Sequence, residues 1–337
     1  MSKNYYIIPI FVPHEGCPHN CVFCNQTRIT GVTSEVTGEE VEKIAEEYLA
    51  TIDHRNATIE ISFFGGTFTA IREEKQKELL EVARELKEKG LIDKIRMSTR
   101  PDYINDYILT YLKDYKVDII ELGVQSLSEE ILVASGRGHS VEDVYSASKL
   151  IKEYGFILGH QIMPGLPKDT FEEDILSVEK SIGMLPDIAR LYPALVIKDT
   201  PMEEMYNRGI YKPYSLEEAV DVCKDLYKLY NKAGIQVIRM GLQPTETIRE
   251  GGDIVAGPFH PSFRELVEGK LFVDKIKELL GDSRCGIVNI HPKDISKLYA
   301  NKKIYFKKLS EEGYNIIVKT NDDIKRGDIS IFPKDGV

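Results

Sequence analysis

Short apolar segments alternate with amphipathic stretches along most of the chain. The apolar segments predict strands at residues 5–12, 58–64, 94–99, 117–124, 156–163 and 188–196. Between them, apolar residues recur every three to four positions, which predicts helices at residues 38–51, 73–90, 104–114, 141–154 and 170–183. This alternation is typical of a parallel sheet, so the six units predict an α/β fold, a partial (β/α)6 TIM-like barrel.

A loop rich in Gly and Pro at residues 243–260 predicts a domain boundary. A helix at 216–232 and a strand at 235–240 precede it. The part after it is predicted to contain a helix at 261–280 and β-prone segments at 286–291, 304–308, 315–319 and 328–332. We therefore expect a core domain at residues 1–255 and a smaller C-terminal α/β appendage at residues 256–337 that closes the open side of the barrel.

Length and composition favour a folded protein with a large core, since 42% of the 337 residues are hydrophobic. No segment approaches the roughly 18 apolar residues that span a bilayer, so we expect a cytoplasmic protein without a membrane partner. The net charge of −10 argues against a generally basic nucleic-acid surface. From Arg284 to Val337, however, there are 11 basic and 7 acidic residues, and Lys302, Lys303, Lys307 and Lys308 form a candidate basic patch.

Residues suited to chemistry follow the predicted strands. A cysteine-rich loop follows the first strand, residues 65–67 the second, 100–102 the third, 125–126 the fourth and 164–167 the fifth. In parallel α/β barrels, active sites lie where strands end and the loops to the helices begin. These segments are therefore predicted to meet on one face.

The cysteine loop contains Cys17, Cys21 and Cys24 in the pattern CxxxCxxC. Iron–sulfur clusters usually have four thiolate ligands, so three would leave one iron open to another ligand. A structural zinc site with His14 or His19 as the fourth ligand is an alternative, and unliganded core cysteines are another. Five cysteines so unevenly placed along the chain do not predict a disulfide scaffold. Of the other two, Cys223 is predicted to lie in the core, and Cys285 carries no functional signal.

The second strand ends in FFGGTF, where the paired glycines Gly65 and Gly66 let the backbone approach a small polar ligand. The methionine end of S-adenosylmethionine is such a ligand, because its amino and carboxylate groups could chelate the open iron. A tight turn without a ligand is the structural alternative. The cysteine loop one βα unit earlier favours the ligand.

Seven motifs, CPHNCVFC, FFGGTF, STRPDYI, ELGVQS, RGHSVEDV, HQIMPGLP and LYPALVIKDT, together resemble the radical S-adenosylmethionine superfamily, and specifically the radical domain of the Elongator catalytic subunit family. The resemblance covers about residues 5–240. It implies a [4Fe–4S] cluster that reductively cleaves S-adenosylmethionine to a 5′-deoxyadenosyl radical, with flavodoxin or ferredoxin as electron donor. Tyr192, Lys198, His260 and Arg264 are the candidates near a substrate.

Position by position, the resemblance implies that Cys17, Cys21 and Cys24 hold the cluster. The implied cofactor-binding residues are Gly65, Gly66 and Thr67 at the amino group, Arg137 at the carboxylate, Gln125 and Gln161 at the ribose, Met163 and Gly165 at the adenine, and Ser98. Ser98 departs from the family, which usually has an acidic residue there, and the family's gap between its first two cysteines is usually longer.

The residues after the barrel show no acetyl-coenzyme A pattern, so the family's acetyltransferase domain has no counterpart here and its carboxymethylation of tRNA uridine does not transfer unchanged. Three hypotheses therefore remain. The first is a radical enzyme that modifies RNA, with tRNA as the expected substrate on the basis of the resemblance and the basic C-terminal segment. The second is a radical enzyme for a small metabolite or cofactor precursor, which suits the net charge of −10. The third is a metal-stabilised binding protein without turnover.

Overall fold

Seven parallel strands form the central sheet, in the order β1-β2-β3-β4-β5-β6-β8, and the sheet curls into half of a barrel. The computed structural model describes residues 5–12, 17, 19–25, 28, 36–53 and 56–333. The strands are β1 (Tyr5–Val12), β2 (Thr58–Gly65), β3 (Lys94–Thr99), β4 (Ile119–Gln125), β5 (Ile157–Ile162), β6 (Ile188–Leu191), β7 (Val196–Ile197), β8 (Gln236–Met240), β9 (Ile254–Ala256), β10 (Cys285–Ile290), β11 (Asn315–Thr320) and β12 (Ile329–Pro333).

Helices connect the strands of the sheet and pack on its outer side. In chain order, those described are α1 (Gly38–Leu49), α2 (Glu73–Glu88), α3 (Asp106–Asp114), α4 (Glu129–Ala134), α5 (Val141–Glu153), α6 (Phe171–Gly183), α7 (Pro201–Asn207), α8 (Leu216–Lys232), α9 (Phe263–Leu280), α10 (Ile295–Leu298) and α11 (Ala300–Glu311). Several begin at residues suited to N-caps. Ser140 and Ser215 form capping boxes with Asp143 and Glu218, which fixes the start of α5 and of α8.

The two faces of the central sheet differ in polarity. The outer face is apolar and fully buried under the helices, as for Ile61, Met97 and Leu122. The inner face, which lines the lumen of the half-barrel, carries charged residues. Because residues paired across a parallel ladder project to the same face, Arg96 of β3 projects with Ser62 of β2, and Arg190 of β6 projects with Gln161 of β5.

The lumen charges form a buried ionic network across four strands. Arg96 Nε lies 2.8 Å from Glu60 Oε1, and Arg96 Nη1 lies 3.3 Å from Glu121 Oε2. Arg190 Nε lies 2.7 Å from Glu121 Oε1. Burial alone would raise the pKa of Glu121, but Arg190 and Arg96 outweigh it and lower that pKa. The hydroxyl groups of Tyr5 and Ser62 also donate to Glu60. Each of the two carboxylates therefore has a cationic partner inside the barrel, although Glu121 Oε2 makes an ion pair without a hydrogen bond.

The structure confirms the partial barrel and changes some of its details. The strand predicted at residues 235–240 joins the sheet as β8, which makes seven strands rather than six. The strand predicted at 188–196 ends at Leu191, and residues 196–197 instead pair with Ile254–Ala256 inside the predicted loop. The prediction of a β-prone segment at 304–308 is wrong, because these residues lie in α11, where Tyr305 and Leu309 are buried on one side. Short helices α4 and α7 were not predicted.

The C-terminal part is a three-stranded sheet of order β11-β10-β12 packed with α9. Strand β10 pairs parallel with β11 and antiparallel with β12. Helix α9 packs on α8 and lies beside β8, the last strand of the central sheet. Arg264 of α9 donates from Nη1 to the carbonyl of Val237 in β8 over 2.9 Å, so an edge carbonyl is satisfied by the appended part. None of the described helices is long and apolar enough to cross a membrane.

Replacing Arg96 with leucine should destabilise the protein by about 3–5 kcal/mol, because Glu60 and Glu121 would lose the cation between them while staying buried. Urea unfolding followed by circular dichroism measures the change. Lys89→Gln, which removes an exposed pair with Glu85, is the matched control and should change the midpoint little. Equal midpoints for Arg96→Leu and the wild type would contradict the proposed dependence on this network.

Candidate functional site

The cysteine loop follows β1 and is fixed by elements from the other half of the sheet. The amide of Val22 donates to the carbonyl of Ser135, which follows α4, over 3.0 Å. The carbonyl of Val22 accepts from the amide of Met202 in α7 over 2.9 Å. Within the loop, Cys24 N donates to Cys21 O over 3.0 Å, which turns the chain between these two cysteines. The two unpredicted helices thus hold the loop in place.

The three thiols lie close enough to influence one another electrostatically. Burial, and after it the neighbouring Cys21 and Cys17, raise the pKa of Cys24 to about 12, while Arg137 opposes the rise. Thiolates so grouped need positive charge, which a metal centre supplies on binding. The donor set of three grouped cysteines therefore fits a cluster that these residues would hold.

Arg137 links the cysteine loop to the sheet. Its Nη1 donates to Cys21 Sγ over 3.4 Å, and its Nη2 donates to the carbonyl of Gly123 in β4 over 2.7 Å. The side chain is 7% exposed, and its Nε has no hydrogen-bond partner in the structure. A buried guanidinium nitrogen without a partner is suited to an anionic group of a ligand.

The mononuclear zinc alternative finds no support in the part of the chain that the structure describes. No group of three or more His, Cys, Asp or Glu side chains there is arranged to hold one metal ion. The exposed ring of His19 lies against Gly138, where an added Cβ would be 2.5 Å from it. His14 lies outside the described residues. In a cubane cluster each thiolate binds a different iron, so its ligands do not converge on one point.

The glycine turn after β2 lies beside the end of β1. Gly65 has φ of +114°, and a Cβ there would be 2.5 Å from the carbonyl oxygen of Val12. Gly66 N donates to the same oxygen over 3.0 Å. Thr67 is buried, and its Oγ1 lies 3.2 Å from Cys17 Sγ. The turn and the first cysteine therefore belong to one site, as the sequence predicted.

The ends of β4 and β5 meet at the same end of the parallel sheet as this turn. Gln125 is buried and has a left-handed backbone with φ of +67°, which is uncommon for a residue other than glycine. Its Oε1 accepts from Gln161 Nε2 over 3.2 Å, and its carbonyl accepts from Met163 N over 2.8 Å. The strained backbone at Gln125 is held by its neighbours at the place where β4 leaves the sheet. Ser98 lines a small cleft with Phe64 and Gly66.

Gly165 lies in a turn that packs on two tyrosines. Its φ is +81°, and a Cβ would be 2.7 Å from the ring of Tyr214, while its carbonyl accepts from Tyr211 over 2.6 Å. Below the turn, burial raises the pKa of Asp169 to about 6. Burial, together with the neighbouring Asp169, also raises the pKa of Asp174. Tyr214 donates to Asp174 over 3.0 Å. These contacts account for the shape of the turn.

The four candidates for a substrate contact lie in different surroundings. Tyr192 is half-buried beyond β6, and its hydroxyl accepts from Arg190 Nη1 over 2.9 Å. Lys198 is exposed and donates to the carbonyl of Gly252 over 2.6 Å. His260 Nδ1 accepts from Ser262 N over 3.1 Å. Arg264 pairs with Glu268 over 2.9 Å. Of the four, only Tyr192 contacts the lumen network.

Sequence reasoning missed the lumen charges and a buried histidine. Glu60, Arg96, Glu121 and Arg190 interrupt apolar strands, and a charge inside such a strand is the signal that could have found them. His139 is 5% exposed. Burial, and after it the cations Arg137 and Arg100, lower its pKa to about 3, so the ring is neutral at pH 7.

Two family models match most of the chain. Residues 11–178 match the model described as "Radical SAM superfamily", and residues 186–272 match the "Radical_SAM C-terminal domain". The second match ends inside α9.

Curated relatives are about 31% identical to this chain over the aligned region. The tRNA uridine(34) acetyltransferase of Methanocaldococcus infernus is 31% identical over 255 residues, which cover 64% of this chain and 48% of that protein. Elongator complex protein 3 of Homo sapiens is 31% identical over 196 residues, 52% of this chain and 36% of that one. The chain thus spans about half the length, or less, of these relatives.

Solved structures show the same fold. The structure of Methanocaldococcus infernus Elp3 with an N-terminal deletion superposes with a TM-score of 0.62 at 26% identity and covers 82% of this chain and 64% of that chain. Streptococcus suis SuiB superposes with a TM-score of 0.51 at 16% identity over 71% of this chain and 49% of that one, which speaks for the fold alone.

Replacing Cys17, Cys21 or Cys24 with alanine should abolish the iron–sulfur absorption of anaerobically reconstituted protein, because three ligands leave no spare thiolate. Iron content and the visible spectrum measure this. Cys285→Ala is the matched control and should keep a full complement of iron, since Cys285 begins β10 in the appended sheet. A full complement in Cys21→Ala would contradict the assignment.

Proposed function

Since the chain belongs to the radical S-adenosylmethionine superfamily, we propose that it binds a [4Fe–4S] cluster through Cys17, Cys21 and Cys24 and cleaves S-adenosylmethionine reductively. The observation that carries this proposal is the grouping of three thiols beside the glycine turn and the partly unsatisfied Arg137. When bound, the cluster supplies one electron to the sulfonium, whose carbon–sulfur bond breaks to give methionine and a 5′-deoxyadenosyl radical. A flavodoxin or ferredoxin supplies that electron.

The chain's own residues bind and orient the cofactor in this proposal. Gly65, Gly66 and Thr67 receive the amino group at the strand edge, where the paired glycines let a ligand approach the backbone closely. Arg137 binds the carboxylate with its guanidinium. Gln125 and Gln161 hydrogen-bond to the ribose from a pair that is already oriented. Met163 and Gly165 line the adenine, and Ser98 lines the small cleft that it shares with Phe64 and Gly66.

We further propose that the substrate is RNA, and most simply a tRNA. One line of support is that relatives are named for tRNA uridine modification. A second is a set of exposed lysines in α11, namely Lys302, Lys303, Lys307 and Lys308. A small-molecule substrate is the second candidate, favoured by the net charge of −10. The relatives' acetyl transfer is not part of the proposal.

We propose that residues 256–337 act as the appendage that closes the open edge of the core formed by residues 1–255. Its helix α9 lies beside β8, and Arg264 satisfies a carbonyl of that strand. Covering the edge prevents it from pairing with other chains and limits solvent access to a reactive radical. Lys198 and His260, which flank the β7–β9 pair, remain candidates at the rim of this opening.

Reconstituted wild-type protein should convert S-adenosylmethionine to 5′-deoxyadenosine and methionine when dithionite is added.

Gly66→Val should keep its cluster but raise the dissociation constant for S-adenosylmethionine by about tenfold or more, because the branched side chain obstructs the strand edge. Liquid chromatography measures the products, and titration against the cluster spectrum measures the affinity. Gly183→Val is the matched control, since nothing lies within 4 Å of a Cβ there. Absence of 5′-deoxyadenosine from a fully loaded wild type would refute the function, and an unchanged affinity in Gly66→Val would refute the amino-group assignment.

Changing Lys302, Lys303, Lys307 and Lys308 together to glutamine should weaken tRNA binding and flatten its salt dependence. Each phosphate contact contributes close to one unit to the slope of log affinity against log salt concentration. Lys308 already pairs with Glu217 over 2.6 Å, so its share should be the smallest. Filter binding across a salt series measures the slope. An unaltered affinity and slope in the folded variant would shift the preference to a small-molecule substrate.

A further inference from the structure

Arg239 is a cation of the lumen face that lies outside the ionic network. It lies on β8 and pairs in register with Arg190 of β6, so its side chain projects to the lumen face at the same level. Arg96 and Arg190 have carboxylate partners in Glu60 and Glu121. Within residues 56–333 and the shorter described segments, no carboxylate oxygen lies within 4.0 Å of the Arg239 guanidinium.

The surroundings of Arg239 do not compensate its charge. Its Nε makes one long contact, 3.4 Å, to the carbonyl of Gly241. Burial lowers its pKa; Tyr192 opposes this, and the cations Arg190 and Arg264 lower it further. Arg264 itself is paired with Glu268. A half-buried cation beside other cations is costly unless an anion joins it.

Tyr192 supplies a second polar group beside Arg239. Its hydroxyl oxygen accepts from Arg190 Nη1 over 2.9 Å, so its own O–H proton is directed elsewhere. A guanidinium and a phenol side by side can both donate to one anionic oxygen group. The unpaired charge and the free donor point to a ligand that is an anion.

We propose that Arg239 and Tyr192 bind a backbone phosphodiester of the RNA substrate inside the lumen. The choice of a phosphodiester rests on the proposed function; the choice of an anion rests on the charges of the lumen. Strand β8 and strand β1, which leads into the cysteine loop, are the opposite edges of the seven-stranded sheet. The phosphate would therefore bind on the wall across from the cysteines, which leaves the space between them for the nucleoside that reacts.

The test compares two dinucleotides: UpU, and UpU with a neutral methylphosphonate linkage, in which a methyl group replaces the charged non-bridging oxygen. The wild type should bind UpU about tenfold more tightly or better, since a charge-assisted contact of about 1.4 kcal/mol corresponds to tenfold. Arg239→Gln should bring the two affinities within about twofold, Arg239→Lys should retain part of the preference, and Tyr192→Phe should reduce it. Arg72→Gln, an exposed arginine at the start of α2, should keep the full preference.

Three results would overturn the proposal. They are a wild type without preference for the charged dinucleotide, a full preference in Arg239→Gln, or a loss of S-adenosylmethionine affinity in Arg239→Gln, which would assign this cation to the cofactor. Arg239→Lys and Tyr192→Phe keep the test valid if Arg239→Gln fails to fold. Because binding is measured without turnover, failure of the proposed function would appear separately, as absence of 5′-deoxyadenosine from the wild type.

Discussion

The half-barrel depends on the pairing of buried charges across its lumen. Glu60, Arg96, Glu121 and Arg190 come from four strands, and each would be costly to bury alone. Their pairing fixes the register of the strands in the curved sheet, because a shift by one residue would place a charged side chain in the apolar outer layer. A hydrophobic lumen would be more stable, but it would not admit a polar ligand. The network thus allows a polar interior without unpaired carboxylates.

Contacts between distant parts of the chain shape the site above this network. The cysteine loop follows β1, yet it is held by Ser135 after α4 and by Met202 in α7. Arg137 then connects Cys21 to Gly123 of β4. The thiols are therefore positioned by the middle and the far side of the sheet. Displacing any of these loops would be expected to alter how the three cysteines are grouped.

Local patterns predicted most of the fold and part of the site. The strand and helix periods predicted the sheet, and the rule that loops after parallel strands share one face placed Thr67 beside Cys17. Residues 304–308 were predicted to be β-prone because Ile304, Tyr305 and Phe306 have high β propensity. In the structure they are helical, because this segment buries one side against α9. The partners of Arg96 and Arg190 could not be predicted, because they depend on which strands are neighbours and in what register.

Charge is distributed unequally across the lumen, and this gives the site a direction. The cysteine side carries Arg137, which donates to Cys21 and Gly123 and which the proposal assigns to the carboxylate of the cofactor. The β8 side carries Arg239 without a carboxylate partner in the described residues, next to Arg190 and Arg264. Arg137 already has two protein partners, so the cation without a carboxylate partner at β8 is the one left to attract an anionic group of the substrate. In the proposed enzyme, the phosphate of the substrate would then lie on the β8 side, and an uncharged part of the substrate would face the cysteines.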